Sequence, residues 1–298
     1  MMMNRKSRAA VLRKMLKEQK VVVAPAAGDA LAARMIEDAG FQAFVVSGSS
    51  MANLNMGLPD VGVMSYSEIR DCLSNMLRVT TIPAIVDIDT GYGGTLPLYR
   101  LVREYEALDV AAVQLEDQIF PKMCAYFSGT SVVSADEMIG RIRAVVKARR
   151  ADLYLIARTD AAKSLGFEEA LRRARLYYEA GADMIFITVP PSAEDMKRIA
   201  ELPFPVCTSV VEGTVNEDFT VDQLADMGFR LVKYPQTLIR ATMKTMHDVL
   251  SELKTSGSTR GYRNRICTQK ERAVYSHVGE FTQFQNEVDH SSAVTVEG

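Results

Sequence analysis

Eight times along a chain of 298 residues a short β-favouring run gives way to an amphipathic helical stretch, the units recurring roughly every 25–35 residues. Strands joined by helical crossovers run parallel, and a parallel sheet must be covered on its faces, so few architectures remain. The predicted strands are residues 21–24, 43–46, 84–87, 113–115, 153–157, 184–187, 206–210 and 231–233. Between them the 3.6-residue period predicts helices, among them 66–78, 96–108, 167–180 and 237–253. Ser134 and Glu137 are spaced as a capping box for the helix 135–149, and Ser47-Gly-Ser-Ser50 reads as a loop. The phrases Glu37-Asp-Ala-Gly-Phe41, Glu179-Ala-Gly-Ala-Asp183 and Ala225-Asp-Met-Gly-Phe229 repeat one device, a helix stopped by glycine that feeds a buried strand. No GxGxxG follows the first strand, so the eight units predict a closed (β/α)8 barrel of the TIM type rather than an open doubly wound sheet.

The barrel domain is expected to occupy residues 1–255. Ser256-Gly-Ser-Thr-Arg-Gly261 reads as a hinge, and 256–298 as a C-terminal helical extension with Tyr275, Val278, Phe281 and Phe284 apolar. A barrel needs no such extension for its own core, so the extension is expected to pack on a neighbouring subunit, with 290–298 lacking regular structure. The basic start is expected to form an amphipathic helix through Leu12, Met15 and Leu16, although its charge also resembles a targeting presequence.

Charge and composition narrow the function. A formal net charge of −2 gives no electrostatic case for nucleic acid or an anionic membrane, and no apolar run approaches the ~20 residues that span a bilayer. Three His late in the chain argue against a His-rich metal site. The four Cys (72, 124, 207, 267) lie far apart with no CxxC pair, which fits a reducing, cytoplasmic setting.

In a (β/α)8 barrel the active site lies at the C-terminal ends of the strands. Here those ends carry Ser47-Gly48, Asp87 with Asp89, Glu116 with Asp117, Arg158, Thr188 and Glu212. Asp87 and Asp89 are two residues apart, so on an extended chain both face one side, and Glu116 from the next strand joins them. Like charges so gathered call for a cation, and hard oxygens without His or thiolate favour Mg²⁺ or Mn²⁺. Ser47, Gly48 and Ser49 offer hydroxyls and N–H groups to a carboxylate or phosphate, and Arg158 can hold a carboxylate bidentately unless Asp160 or Glu116 occupies it. After the fourth strand, a segment ending at Ser128-Gly129 carries Lys122, Cys124 and Tyr126, an ammonium, a thiol and a phenol suited to acid–base work on a closing lid.

Several runs together resemble the isocitrate lyase/PEP mutase superfamily. They are Pro25-x3-Asp29-x-Leu-x-Ala-Arg34, Ser47-Gly48, Gly57-Leu-Pro-Asp60, Asp87-Ile-Asp89-x-Gly-Tyr-Gly-Gly94, Glu116-Asp-Gln118, Pro121-Lys122 and Ala157-Arg-Thr-Asp160. The likeness extends from about Leu12 to Lys254 in matching order and is closest to the methylisocitrate lyase and dimethylmalate lyase branch. It implies a Mg²⁺-dependent enzyme for small 2-oxo or 2-hydroxy acids, assembled as a homotetramer with exchanged C-terminal helices. It further implies that Asp87 and Asp89 hold Mg²⁺ largely through water, with Asp60 and Glu116 behind them. Ser47, Gly48 and Arg158 would bind the substrate carboxylate, and Cys124 would be the acid that protonates the departing carbanion. Met123, Ala125 and Tyr126 depart from the lyase loop. Thr188, Ser209 and Val45 stand where methylisocitrate lyases have Glu, Asn and Tyr, so a tricarboxylate would leave charge unpaired.

These features predict cleavage of a small 2-hydroxy dicarboxylate, with or without alkyl substituents, to a 2-oxo acid such as pyruvate plus a carboxylate. A thiol of ordinary pKa near ~8.5 suits Cys124 as the acid. Lys122 and Tyr126 are the candidates for the base, and Thr188, Ser209 and Glu212 for further substrate contacts. Two rivals stand beside this reading. One is oxaloacetate decarboxylation, or hydrolysis of a 2-oxo acid of the phosphonopyruvate type, on the same metal site. The other is a non-catalytic barrel that binds a metal or a small acid.

Overall fold

The computed structural model describes residues 6–125 and 129–293. Eight parallel strands close into a barrel in sequence order: β1 (Val22–Ala27), β2 (Phe44–Val46), β3 (Ala84–Asp87), β4 (Ala112–Glu116), β5 (Tyr154–Thr159), β6 (Met184–Ile187), β7 (Val206–Ser209) and β8 (Leu231–Tyr234). Closure is made by β1 on β8, with Val22 opposite Leu231 and Ala24 opposite Lys233.

Alternation along the strands separates two cores. Val46, Val86, Val113, Leu155, Ile185 and Val232 point outward and pack with the surrounding helices through Leu73, Leu101, Ile142, Tyr177 and Leu224. Ala24, Val45, Ile85, Ile156, Met184, Cys207 and Leu231 form a second cluster, joined by Leu12, Met15 and Leu16 of the first helix, Arg8–Glu18. That helix is capped by the Ser7 hydroxyl and anchored by Arg13, which meets Asp183 at 3.2 Å. It contributes to the inner cluster as a plug does, supplying three apolar side chains that the strands leave room for.

The glycine device is present at all three places: Gly40, Gly181 and Gly228 have φ of 88°, 109° and 124°, a left-handed turn that releases the chain into the next strand. Other local expectations need correction. Ser47-Gly-Ser-Ser50 is not a loop; Gly48–Met51 is helical and continues as the π-helical turn Ala52–Met56, with the Ser47 hydroxyl as its cap. Ser134 caps Ala135–Ala148, but no reciprocal capping box forms because the Glu137 carboxylate turns to Arg141 instead, four residues on. The last helix, Val278–Ala293, runs past the point where regular structure was expected to stop.

By backbone contacts the chain divides into one compact unit through Arg240 and a second from Ala241, a boundary within the helix Thr237–Ser256. In the second unit, Gln269–Tyr275 and Val278–Ala293 are helices, and Val274, Val278, Phe281 and Phe284 are exposed on them. No helix among the described residues is long and apolar enough to cross a membrane.

Leu12 is fully buried. Leu12→Ala is therefore expected to cost about 2–5 kcal/mol in urea unfolding, the range for a buried leucine whose cavity cannot collapse. A loss below about 1 kcal/mol would show that the first helix does not support the barrel.

Candidate active site

The C-terminal ends of the strands bring most of the sequence-derived residues to one cavity. Val45, Ser47, Ser49, Asp60, Asp87, Cys124, Arg158, Thr188 and Ser209 line it, with Asp89, Glu116 and Lys122 buried beside them. Arg158, next to last in β5, is the centre of the charge arrangement. Its Nε and Nη2 bond both oxygens of Asp160 at 2.9 and 3.0 Å, and Nη1 faces Glu116 at 3.0 Å and Asp87 at 3.7 Å. Both partners that could occupy Arg158 therefore do so. Thr188 is engaged as well, donating from its hydroxyl to Asp160 Oδ1 at 2.8 Å.

A second ion cluster lies alongside. Lys122 Nζ pairs with Asp60 and stands 3.0 Å from Asp89 Oδ1. Gly48 lies against this cluster: a Cβ there would come 3.5 Å from Asp89 Oδ1 and 3.8 Å from Asp60 Oδ1. Asp87 and Asp89 do not converge by strand alternation. The strand ends at Asp87, and Asp89 reaches the cluster through a left-handed backbone turn, φ 48°. Burial works to lower the pKa of Lys122, but Asp89, Asp60, Glu116 and Asp87 together raise it well above the ordinary value. It is thus held as an ammonium, a counter-ion and a poor base. Burial also pushes Glu116 well above the usual carboxylate range against the pull of Arg158, and lifts Asp89 to about 6 against that of Lys122.

Asp117, next to Glu116, turns away from the cavity. It accepts from Thr159 Oγ1, the Asp160 N–H, Arg173 and Tyr177, and so fixes the segment that presents Arg158 and Asp160. Glu212 is not brought to the cavity either; Thr237 holds it at 2.6 Å and Arg240 at 3.1 Å. Ser47 lines the cavity, yet its own N–H is used by Ala27 O, which leaves Gly48 and Ser49 as the N–H donors there. Cys124, within the loop, is buried, with Gln236 Nε2 3.9 Å from its sulfur. The loop is closed at its base by the bridge between Gln118 and Val132. Tyr126 lies outside the described residues.

Sequence reasoning missed Gln114, Phe186, Lys233 and Gln236, all of which line the cavity. Parity could have found Lys233, which shares a strand face with the inward Leu231.

The donor set suits a hard divalent ion. Asp60, Asp87, Asp89, Glu116 and Asp160 outnumber the cations Lys122, Arg158 and Lys233, and buried Asp89 Oδ1 and both Glu116 oxygens receive no aligned hydrogen bond. Among the described residues no three His, Cys, Asp or Glu side chains stand close enough to ligate one ion directly. Such a set fits a hydrated ion whose waters would donate to these oxygens.

The sequence pattern of the phosphoenolpyruvate phosphomutase family matches residues 12–254. Over 265 residues the chain is 38% identical to a 2,3-dimethylmalate lyase of Eubacterium barkeri, covering 88% of this chain and 92% of that one. It is 37% identical over 262 residues to a 2-methylisocitrate lyase of Aeropyrum pernix, covering 88% and 84%. A solved oxaloacetate acetylhydrolase with the inhibitor 3,3-difluorooxalacetate superposes with a TM-score of 0.88 at 31% identity, over 95% of this chain and 97% of that one. A phosphonopyruvate hydrolase complexed with oxalate and Mg²⁺ gives 0.84 at 27% identity, over 94% and 99%.

The crowding of these carboxylates has a cost that pH reveals. Asp89 titrates at about 6 in the fold against an ordinary 3.8, so between those values the folded protein binds more protons there than the unfolded chain. Its contribution therefore becomes more unfavourable as pH rises through that window and is fully unfavourable above it. In metal-free protein, Asp89→Asn is expected to be about 1–3 kcal/mol more stable than wild type in urea unfolding near neutrality, with the gain vanishing near about pH 4. A difference that stays flat with pH would contradict this electrostatic account.

Proposed function

Because the chain belongs to the phosphoenolpyruvate phosphomutase family, within the isocitrate lyase/PEP mutase superfamily, we propose that it is a Mg²⁺-dependent carbon–carbon lyase cleaving a short 2-hydroxy dicarboxylate. The observation that carries this reading is Cys124, a buried thiol lining the same cavity as Arg158 and Asp87. Carbon–carbon cleavage needs a proton donor at the carbon that departs, and this loop supplies one.

In the proposed site Asp87 and Asp89, backed by Asp60 and Glu116, would hold Mg²⁺ through water, which when bound supplies a Lewis acid that lowers the pKa of the substrate hydroxyl. Arg158 Nη1 and the N–H groups of Gly48 and Ser49 orient the substrate's 2-hydroxy carboxylate. Asp160 and Thr188 keep the guanidinium in plane for that contact. The hydroxyl passes its proton to the Asp87 carboxylate, which lines the same cavity, as the bond between C2 and C3 breaks, C2 becomes the carbonyl of the 2-oxo acid, and the electron pair stays on C3; that proton later restores the Cys124 thiol. The thiol of Cys124 gives its proton to C3 and completes the carboxylate product. Met123 N–H donates to Gln118 Oε1 at 2.9 Å, which ties the start of the loop to the strand end and helps it exclude water.

A substituted malate is the proposed substrate, since Thr188, Ser209 and Val45 offer no charge to a third carboxylate. The similarity to an oxaloacetate acetylhydrolase favours hydrolysis of a 2-oxo dicarboxylate as the second reading. The proposed setting is the cytoplasm, where the four unbridged cysteines stay reduced. The proposed assembly is a homotetramer in which the extension from residue 256 is exchanged, covering the exposed Val274, Val278, Phe281 and Phe284.

The reading is tested by offering small 2-hydroxy and 2-oxo acids with Mg²⁺ and assaying release of a 2-oxo acid. Excess chelator should abolish that release, and added Mg²⁺ should restore it. Cys124→Ser should lower kcat by at least ~10²-fold with little change in substrate binding, the scale of a lost general acid. Near-wild-type kcat in this variant would remove the thiol from the reaction and with it the observation on which the lyase reading rests. For the assembly, removal of 261–298 should give smaller species by light scattering; an unchanged mass would rule out the exchange.

A further inference from the structure

We propose that Lys233 is the cation that reads the second carboxylate of a dicarboxylic substrate and so decides which acids the site accepts; the inference rests on the lyase reading above. Lys233 lies in β8, inside the barrel, with Ala24 opposite on one neighbouring strand and Ser209 on the other. These small residues leave space for its four-carbon stem. The side chain is buried, yet it lines the cavity that holds Arg158 and Asp87.

Its partners are what set it apart. Lys122 and Arg158 are each paired with carboxylates. Lys233 Nζ instead donates to the Gln114 amide oxygen and sits 3.5 Å from the centroid of the Phe186 ring, and among the described residues no carboxylate forms an ion pair with it. An amide dipole and a ring face compensate a buried ammonium less well than an anion does. Burial accordingly pulls the amine below its ordinary value, with Cys207 and Asp87 pulling the other way. A carboxylate entering the cavity would supply the missing counter-ion.

The arrangement also fixes where that carboxylate belongs. The Arg158 guanidinium lies 5.9 Å from the centroid of the same Phe186 ring, so the two cations border one aromatic side chain from separate strands. A short acid held by Arg158 at its 2-hydroxy carboxylate extends along Phe186 and meets Lys233 with its far end. A monocarboxylic acid makes the first contact and lacks the second.

Malate and lactate share the 2-hydroxy carboxylate and differ in the far carboxylate, so their binding with Mg²⁺ can be compared by calorimetry. Wild type is expected to bind malate about tenfold or more tightly than lactate, the scale of one charge-assisted contact. Lys233→Met should bring the two acids within about twofold of each other by weakening malate alone, lactate affinity serving as the check that the site is intact. Lys233→Arg should keep the preference, and Lys233→Gln replaces the methionine variant if that one does not fold. An undiminished malate preference without the lysine, or no preference in wild type, overturns the inference. Failure of wild type to bind either acid overturns the lyase reading along with it.

Discussion

Arg158 is the group through which the like charges at the barrel mouth become compatible with one another. Buried near the end of β5, it is held flat by both oxygens of Asp160 and turns its remaining nitrogen toward Glu116 and Asp87. Asp160 is itself placed by Asp117, whose carboxylate accepts from the Asp160 N–H and from Thr159, Arg173 and Tyr177. A buried carboxylate so fully bonded is stiff, and that stiffness passes to the guanidinium one layer inward. Removing Arg158 would leave buried carboxylates facing each other, so the position serves the fold as well as the proposed substrate contact.

The same crowding supports the proposed metal role of the site. Oxygens of Glu116 and Asp89 are buried with no aligned donor, a state that a folded chain tolerates only where something else completes it. The proposed hydrated divalent ion would answer this negative excess. Lys233, buried in the same cavity without a carboxylate partner among the described residues, is a cation that the proposed acid substrate would complete. On this proposal metal and substrate would repair opposite imbalances, and Cys124 lines the same cavity.

Much of this was readable in the residues. The three glycine stops announced helix ends that the backbone realises with positive φ, and the eight apolar runs became the eight strands. Asp87, Glu116 and Arg158 were legible because strand ends in a closed barrel face one mouth. Side-chain direction beyond the strand was less so. Asp89 arrives through a left-handed turn, and Glu212 swings to Arg240, neither of which spacing can foresee. Ser47-Gly-Ser-Ser50 looks like a loop because its helix continues into a π-helical turn with little helical periodicity. Lys233 was passed over as the polar end of a strand, although its register with Ala24 and Ser209 carries it inside.

The central claim is that the carbon–carbon bond breaks by loss of a proton from the substrate hydroxyl, with no water entering the products. Hydrolysis of an oxo acid on the same site would instead place a water oxygen in a new carboxylate. Turnover in H₂¹⁸O, followed by mass spectrometry of both products, separates the two directly. The lyase account predicts no ¹⁸O in either product's carboxylate, allowing for exchange at the ketone alone. One ¹⁸O per turnover in a newly formed carboxylate would contradict it.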